Sequence, residues 1–397
     1  MYMKWSEHSA VRVACAFFFI CPGLAYGIFT SRLPALKMQT GADESQIGLL
    51  LLCLGLASLA ALFGSGRLIA RWGSRLILRT GSLLLTFAVV LCSLAQTPLQ
   101  LGAACLLTGV GMGLTDVSMN TQGIQIERRQ RIPCMAFMHA AYSLGGVVGS
   151  LTGALFAGFG QSPFVNALCV LGLYSCIRPW ATARLLDDLP SASSAGRKGA
   201  VSGALPFFVV MCGLLAMLAY AVEGSAAEWG SLLLFTEKGA DERTAALVFA
   251  AFSAATVLCR LFGDRLRARL GDFAVMLGGS LLALAGMLLA LLSGNVAVCL
   301  AGYALMGAGL SPIVPTLFSR AGSHPGVSPE RASAIVAVLS YGGLLFFPPL
   351  LGFVAHEKGL LNALLFIPAA CLCLALGSFL LRNRADHDGN GDRRRRI

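Results

Sequence analysis

The stretch "GRLIARWG" (residues 66–73) returns as "DRLRARLG" (264–271), sharing Arg-Leu-x-Ala-Arg-x-Gly at an offset of 198 positions. At that offset Gly109 and Gly111 fall on Gly307 and Gly309, and "SLGG" (143–146) falls on "SYGG" (340–343) at an offset of 197. An offset near half of a 397-residue chain, kept across three pairs of segments, marks an internal duplication. The two copies sit in a chain that is 56% hydrophobic and only 12% charged, whereas a soluble domain carries about 25% charge. So little polar surface cannot coat a water-facing protein, and the solvent is lipid.

A helix needs about 20 mostly apolar residues to cross a bilayer. Twelve stretches qualify: 11–31, 46–66, 76–95, 98–123, 134–159, 163–181, 204–227, 243–262, 273–292, 296–318, 332–354 and 359–381. The expected fold is an all-α membrane protein of twelve transmembrane helices in two six-helix halves. The halves are 1–184 and 204–381, joined by a Ser/Gly/Ala-rich cytoplasmic linker at 185–203 and followed by a basic cytoplasmic tail at 382–397. With the N-terminus inside, 25 of the 30 Lys and Arg lie in cytoplasmic segments. The five outside are Arg32, Lys37, Lys238, Arg243 and Lys358. That split is the positive-inside pattern and puts both termini in the cytoplasm. The net charge of +11 is therefore a matter of topology, and nucleic acid is not an expected partner. The "RRRR" tail (393–396) suits anionic headgroups instead. The first apolar run lacks a small-residue cleavage site and reads as a retained span. Thirteen scattered cysteines read as small buried hydrophobes, with no metal site or disulfide framework.

Two six-span repeats in parallel, joined by a linker, are a transporter architecture. On these segments the sequence resembles the major facilitator superfamily. The loop "GRLIARWGSR" (66–75) is similar to that family's Gly-x-x-x-Asp-Arg-x-Gly-Arg-Arg signature. "SRLPAL", "MHAAYSLGG", "VEGSAAEWGSLLL" and "FFPPLLGF" resemble a branch of bacterial inner-membrane proteins related to fucose permease. The resemblance implies a bacterial inner-membrane location and cytoplasmic gating loops built from Gly66, Arg67, Arg71, Gly73 and Arg75, matched by Arg265, Arg269 and Gly271. The signature's latching aspartate is replaced by Ala70 and Ala268, so latching here must differ; Asp264 and Asp272 are substitutes available to the second half. Cys105 stands where many proton-coupled relatives carry an arginine in span 4. Ser150 replaces the proline of the drug-antiporter motif, which tilts against multidrug export.

Within the spans, "GLTDVSMNTQG" (113–123) carries Asp116 and, one turn later, Asn120; Glu127 shares their face. Counting back from Glu127 puts Asp116 about 16 Å deep at 1.5 Å per residue. Burying an ionised Asp there costs about 2.5–3.5 kcal/mol on insertion scales, so this face is expected to line a cavity. Asp116 is read as a proton or substrate site; the bland alternative is a structural hydrogen bond. The resemblance supports the functional reading, because fucose permease has an acid followed by Asn at the corresponding place. Its second acid, in span 1, has no counterpart here. His139 is the one histidine inside a span, level with Asn120, and is either a proton partner of Asp116 or a neutral structural group. In "AYAVEGSAAEWG" (219–230), Glu223 is a candidate for substrate or coupling ion, beside Gly224, which permits a bend. Glu228 reads as a solvated rim charge and Trp229 as an interfacial anchor, although the resemblance makes both candidates for the cavity wall. Tyr26 and Tyr220 occupy matching "LAY" triplets and are further wall candidates, with aromatic packing the alternative. "MGAGLSPIVP" (306–315) and "FFPP" (346–349) are expected to break spans 10 and 11.

The functional expectation is a secondary active transporter, moving a small polar organic solute such as a sugar-like metabolite by proton-coupled uptake and alternating access. Its partners are the solute, protons and the bilayer; it acts as a monomer without cofactor. A proton-antiport exporter of a metabolite or drug is the alternative, then a transporter-derived sensor. The chain is not expected to be an enzyme, since it has no His-Glu-x-x-His motif and no phosphate-binding loop. An acid-bearing cavity, with no buried Arg or Lys in the first-half spans, suits a neutral or cationic solute.

Overall fold

A computed structural model describes residues 2–131, 134–187, 206–324, 327 and 329–393. Most of the expected linker and the last four residues of the tail, including three of its terminal arginines, lie outside these. Among the described residues twelve helices are long and apolar enough to cross a membrane. They are Ser9–Ser31, Glu44–Trp72, Ser74–Leu94, Pro98–Glu127, Phe137–Gly158 and Pro163–Thr182, then Phe207–Glu237, Glu242–Arg260, Arg265–Leu292, Val296–Gly322, Ile335–Lys358 and Leu360–Phe379. Twelve crossings return the chain to the face it started from, called here the terminal face; the opposite one is the far face.

Helix starts are written locally. Asp43 accepts a hydrogen bond from Gln46 N in a capping box, and the side chains of Thr97, Ser162, Asp241 and Asn295 accept from backbone N–H groups in the first turns of their helices. Proline at the first helical positions of spans 4 and 6 supplies a preset φ where no N–H partner exists anyway.

The duplication is visible at the level of backbone contacts. Gly73 and Gly271, which end the two copies of the loop, have φ/ψ of 78/153 and 81/161, a region that glycine alone enters freely. A Cβ on Gly109 would lie 2.1 Å from Leu54 O, and one on Gly307 would lie 2.3 Å from Phe252 O, the residue 198 positions after Leu54. Gly145 lies against Ile20 O and Gly343, 198 positions on, against Met217 O, 197 positions after Ile20. These glycines let helix backbones touch within each half. The structure adds a fourth repeat that the sequence reading missed: "GADE" at 41–44 and 239–242. In both copies the glycine has φ near 67° (68 and 66) and the aspartate caps the next span.

Several expectations need correction. Span 7 runs to Glu237, ten residues past its expected end, through a π-helical turn at Leu233–Glu237. Span 10 is interrupted between Leu310 and Ile313, but span 11 is one helix through Pro348 and Pro349. Span 7 is likewise continuous through Gly224, which lies 3.1 Å (as Cβ) from Leu344 and serves close packing. The "LAY" triplets are three residues out of the register set by Ile20 and Met217, so Tyr26 is matched by Glu223. Three cysteines, Cys169, Cys176 and Cys373, are exposed; all thirteen are free thiols. Arg178, counted as a loop charge, is 5% exposed inside span 6. It donates to Thr86 Oγ1 and Ser175 Oγ, and lies over the Tyr174 ring. The first-half spans thus do hold a buried cation, although it lies away from the cavity described next.

Candidate functional site

A cavity of about 420 Å³ lies between the halves. Spans 1, 2, 4 and 5 form one wall, and spans 7, 8 and 11 form the other. Asp116, His139, Glu223 and Glu228 all reach it, with Tyr26 and Tyr220. Asn120 is not part of the lining; its amide donates to Asp116 O at 2.8 Å and to Asp116 Oδ1 at 3.3 Å, holding the carboxyl from one turn away. Glu127, on the same helical face, is spent elsewhere: its Oε1 accepts from Cys134 N and Met135 N and so caps span 5. His139 shares the cavity with Asp116, but among the described residues no hydrogen bond joins the two. Its ring instead packs edge-on to Phe19 at 5.4 Å.

Glu228 overturns its reading as a solvated rim charge. It is 8% exposed, and Tyr26 Oη donates to its Oε1 at 3.0 Å from the other half. Because the helix continues to Glu237, position 228 lies well within the span, and its carboxyl is turned to the protein interior. Trp229 is neither an interfacial anchor nor a wall residue: it is 0% exposed and belongs to a core cluster that draws on both halves. One residue beyond Glu228 turns the side chain about 100° around the helix, away from the cavity.

The site also includes residues that were not among the named site candidates, although the position of Arg260 near a span end left it able to reach inward. Arg260 lines the cavity and lies 3.7 Å from Glu223, both groups partly exposed to the cavity. Tyr142, Tyr341, Phe249, Ser253 and Thr256 add hydroxyl and ring surface. Tyr142 was detectable: His139, Tyr142, Ser143 and Gly146 follow i, i+3, i+4, i+7 spacing, the mark of one helical face. Three carboxyls against one guanidinium and one imidazole leave the cavity net acidic.

Past Tyr26 and Glu228 towards the far face, the halves are sealed. Ser231 Oγ donates to Thr30 O and Ser150 Oγ to Ala246 O, each across the divide. Ser150, in the place of a motif proline, therefore serves the closure. Arg32, expected among the outer loop charges, is 2% exposed. Its Nε lies 2.9 Å from Glu242 Oε1 in the other half, while Nη1 and Nη2 donate to Gly153 O and Gln161 O. The backbones of Gly48 and Gly352 meet closely between spans 2 and 11, where a Cβ on Gly48 would lie 2.9 Å from Pro348 O.

On the terminal face, among the described residues, no ion pair joins the two halves. Arg75 pairs with Asp187, whose backbone carbonyl also accepts from Arg129. Arg267 and Arg320 share Asp272. Asp187 and Asp272 are the acids that pair with the loop arginines here, and neither pair joins one half to the other; the side chain of Asp264 is outside what is described. Gly66, Arg67, Arg265 and Arg269 are exposed, and Arg71 lies over the Trp72 ring at 5.1 Å.

The family model described as Major Facilitator Superfamily matches residues 15–324. An uncharacterized MFS-type transporter of Yersinia pestis is 30% identical over 355 residues, which is 89% of this chain and 90% of that protein. The membrane protein MosC of Rhizobium meliloti is 31% identical over 374 residues, 94% of this chain and 90% of its own. Among solved structures, a point mutant of the nucleoside transporter NupG aligns with a TM-score of 0.77 at 14% identity, over 93% of this chain and 99% of that one. A bacterial homolog of the human lysosomal transporter Spinster, inward-facing and occupied, aligns at 0.75 and 14% identity, over 96% and 98%. At such identities the likeness speaks to the fold.

Proposed function

The chain belongs to the major facilitator superfamily as an MFS-type membrane transporter, and from that premise we propose that it takes up a small polar organic solute in symport with protons. The observation that carries this reading is the trio Asp116, Glu223 and Glu228 in one cavity, of which Glu223 alone has a guanidinium beside it. An ionised carboxyl away from water is costly unless paired, and a bound proton removes that cost. Asp116, steadied by Asn120, is the coupling group in this proposal, and Glu228 is the second acid that span 1 lacks. His139 serves as a polar wall residue. The net acidic lining and its tyrosines favour a neutral or cationic solute with hydroxyl groups or a ring, held by Glu223, Arg260 and the phenols.

With the terminal face as the cytoplasm of a bacterial inner membrane, both termini are cytoplasmic and the sealed far face is periplasmic. The protein works as a monomer whose two halves, 1–184 and 204–381, rock about the cavity. The test is uptake into proteoliposomes from a panel of polyols, amino sugars and other small polar solutes, with and without an inward pH gradient. Accumulation driven by the gradient supports symport. Release driven by it indicates an exporter, and absence of counterflow with a bound solute indicates a sensor.

A further inference from the structure

A second crevice, of about 510 Å³, runs from the terminal-face ends of spans 8 and 9 to the middle of span 10, outside the cavity between the halves. Its mouth carries Arg265 and Arg269, both exposed, and no carboxylate among the described residues pairs with either. Its sides are apolar: Phe262, Leu266, Leu270 and Leu282 are all exposed, the last three within span 9, an arrangement that suits contact with lipid. Two features open it. Gly278 has nothing within 4 Å of where a Cβ would sit, and span 10 is interrupted at Pro312. At the matching places in the first half, 198 positions earlier, stand Thr80 and Leu114. There Trp72 replaces Leu270, and Arg71 is engaged with its ring. The duplication has thus left a cationic, apolar-sided groove in the second half, where the first carries bulkier side chains.

We propose that this crevice binds one anionic phospholipid, its headgroup phosphate between Arg265 and Arg269 and an acyl chain along the groove from Phe262 towards Leu282. Two guanidiniums above an apolar slot match the two ends of that ligand, and a basic pocket between spans is the usual form of such recognition. A free phosphate would use the arginines but leave the slot unexplained.

The test is native mass spectrometry of the full chain in detergent, with phosphatidylglycerol or phosphatidylcholine of identical acyl chains, and separately with inorganic phosphate. Wild type should retain phosphatidylglycerol in preference. Removing both charges in R265Q/R269Q should cut that retention about thirtyfold, at roughly one lysine- or arginine-sized headgroup attraction per residue. Gly278→Leu keeps both charges but fills the slot, and should also lose the lipid, while R67Q/R71Q in the first half should keep it. Equal retention of the two lipids, unchanged retention in R265Q/R269Q, or binding of phosphate alone in competition with the lipid would overturn the proposal.

Discussion

The phenol of Tyr26 in span 1 donates to the carboxyl of Glu228 in span 7 at 3.0 Å, across the boundary between the halves. Both residues line the cavity, so one hydrogen bond belongs to the cavity and to the far-face contacts together. Under the proposed function, a proton or a solute group arriving at Glu228 would act directly on the closure. Tyr26→Phe leaves Glu228 without its donor, at a cost of about 1–3 kcal/mol to the sealed state. In a cysteine-depleted background, a thiol placed at Thr30 should then react faster with a membrane-impermeant reagent applied from the far face. Unchanged reactivity would show that the bond does not hold the seal.

Asp116→Asn should abolish accumulation driven by a pH gradient while sparing solute exchange, since the amide keeps the shape and loses the proton. Uptake assays with and without the gradient check this, and a variant that still concentrates solute would remove Asp116 from coupling.

Glu223→Gln and Arg260→Gln should each raise KM for solute, by about tenfold if each contributes one charged hydrogen bond. Because the pair is 3.7 Å apart and partly exposed, their mutual coupling is expected below about 1 kcal/mol. A double-mutant cycle on transport kinetics measures it; a far larger coupling would mean that the pair acts as one structural unit.

Arg32→Gln strips a buried cation from beside Glu242 and from two backbone carbonyls. Breaking a buried pair from one side costs about 3–5 kcal/mol, although Glu242 is partly open and the lower end is expected. The thermal midpoint in detergent should fall, and Arg32→Met combined with Glu242→Leu should recover part of the loss. An equal loss in single and double variants would contradict a pairing role.

The caps carry an acid sensitivity. Asp43 is held below the usual carboxyl range by the Gln46 N–H and then Ser45, and Asp241 by the Thr244 hydroxyl and then its N–H. A lowered folded-state value means that the stabilisation is complete above the unfolded value and fades as pH falls through the folded one. Wild type should therefore lose stability below about pH 4. The D43N/D241N variant, which keeps capping atoms without a titrating group, should lose less over the same interval. Parallel melting curves from pH 7 to pH 3 would refute the assignment.

Much of the frame was legible because a duplication repeats residues whose physics is strict. Gly73 and Gly271 need a positive φ, and Gly109 and Gly307 need a bare backbone, so neither pair could drift. The site was less legible because depth along a helix and burial are different quantities. Glu228 looked like a rim charge since its partner, Tyr26, is 202 positions away. Arg32 and Arg178 were counted with the loops because each stands near a span end, yet both side chains fold inward onto oxygen acceptors. Hydropathy cannot see such acceptors.

The register of spans 1 and 7 has a last consequence. Tyr26 and Glu223 occupy the same place in the two halves. A protein that arose by doubling would have begun with one residue at both, and the present chain has a phenol at one and a carboxyl at the other. With Arg260 beside Glu223, the two positions now present different chemistry to the cavity, ring and hydroxyl at one and a charged pair at the other. A molecule held there would meet a phenol on one side and a charged pair on the other.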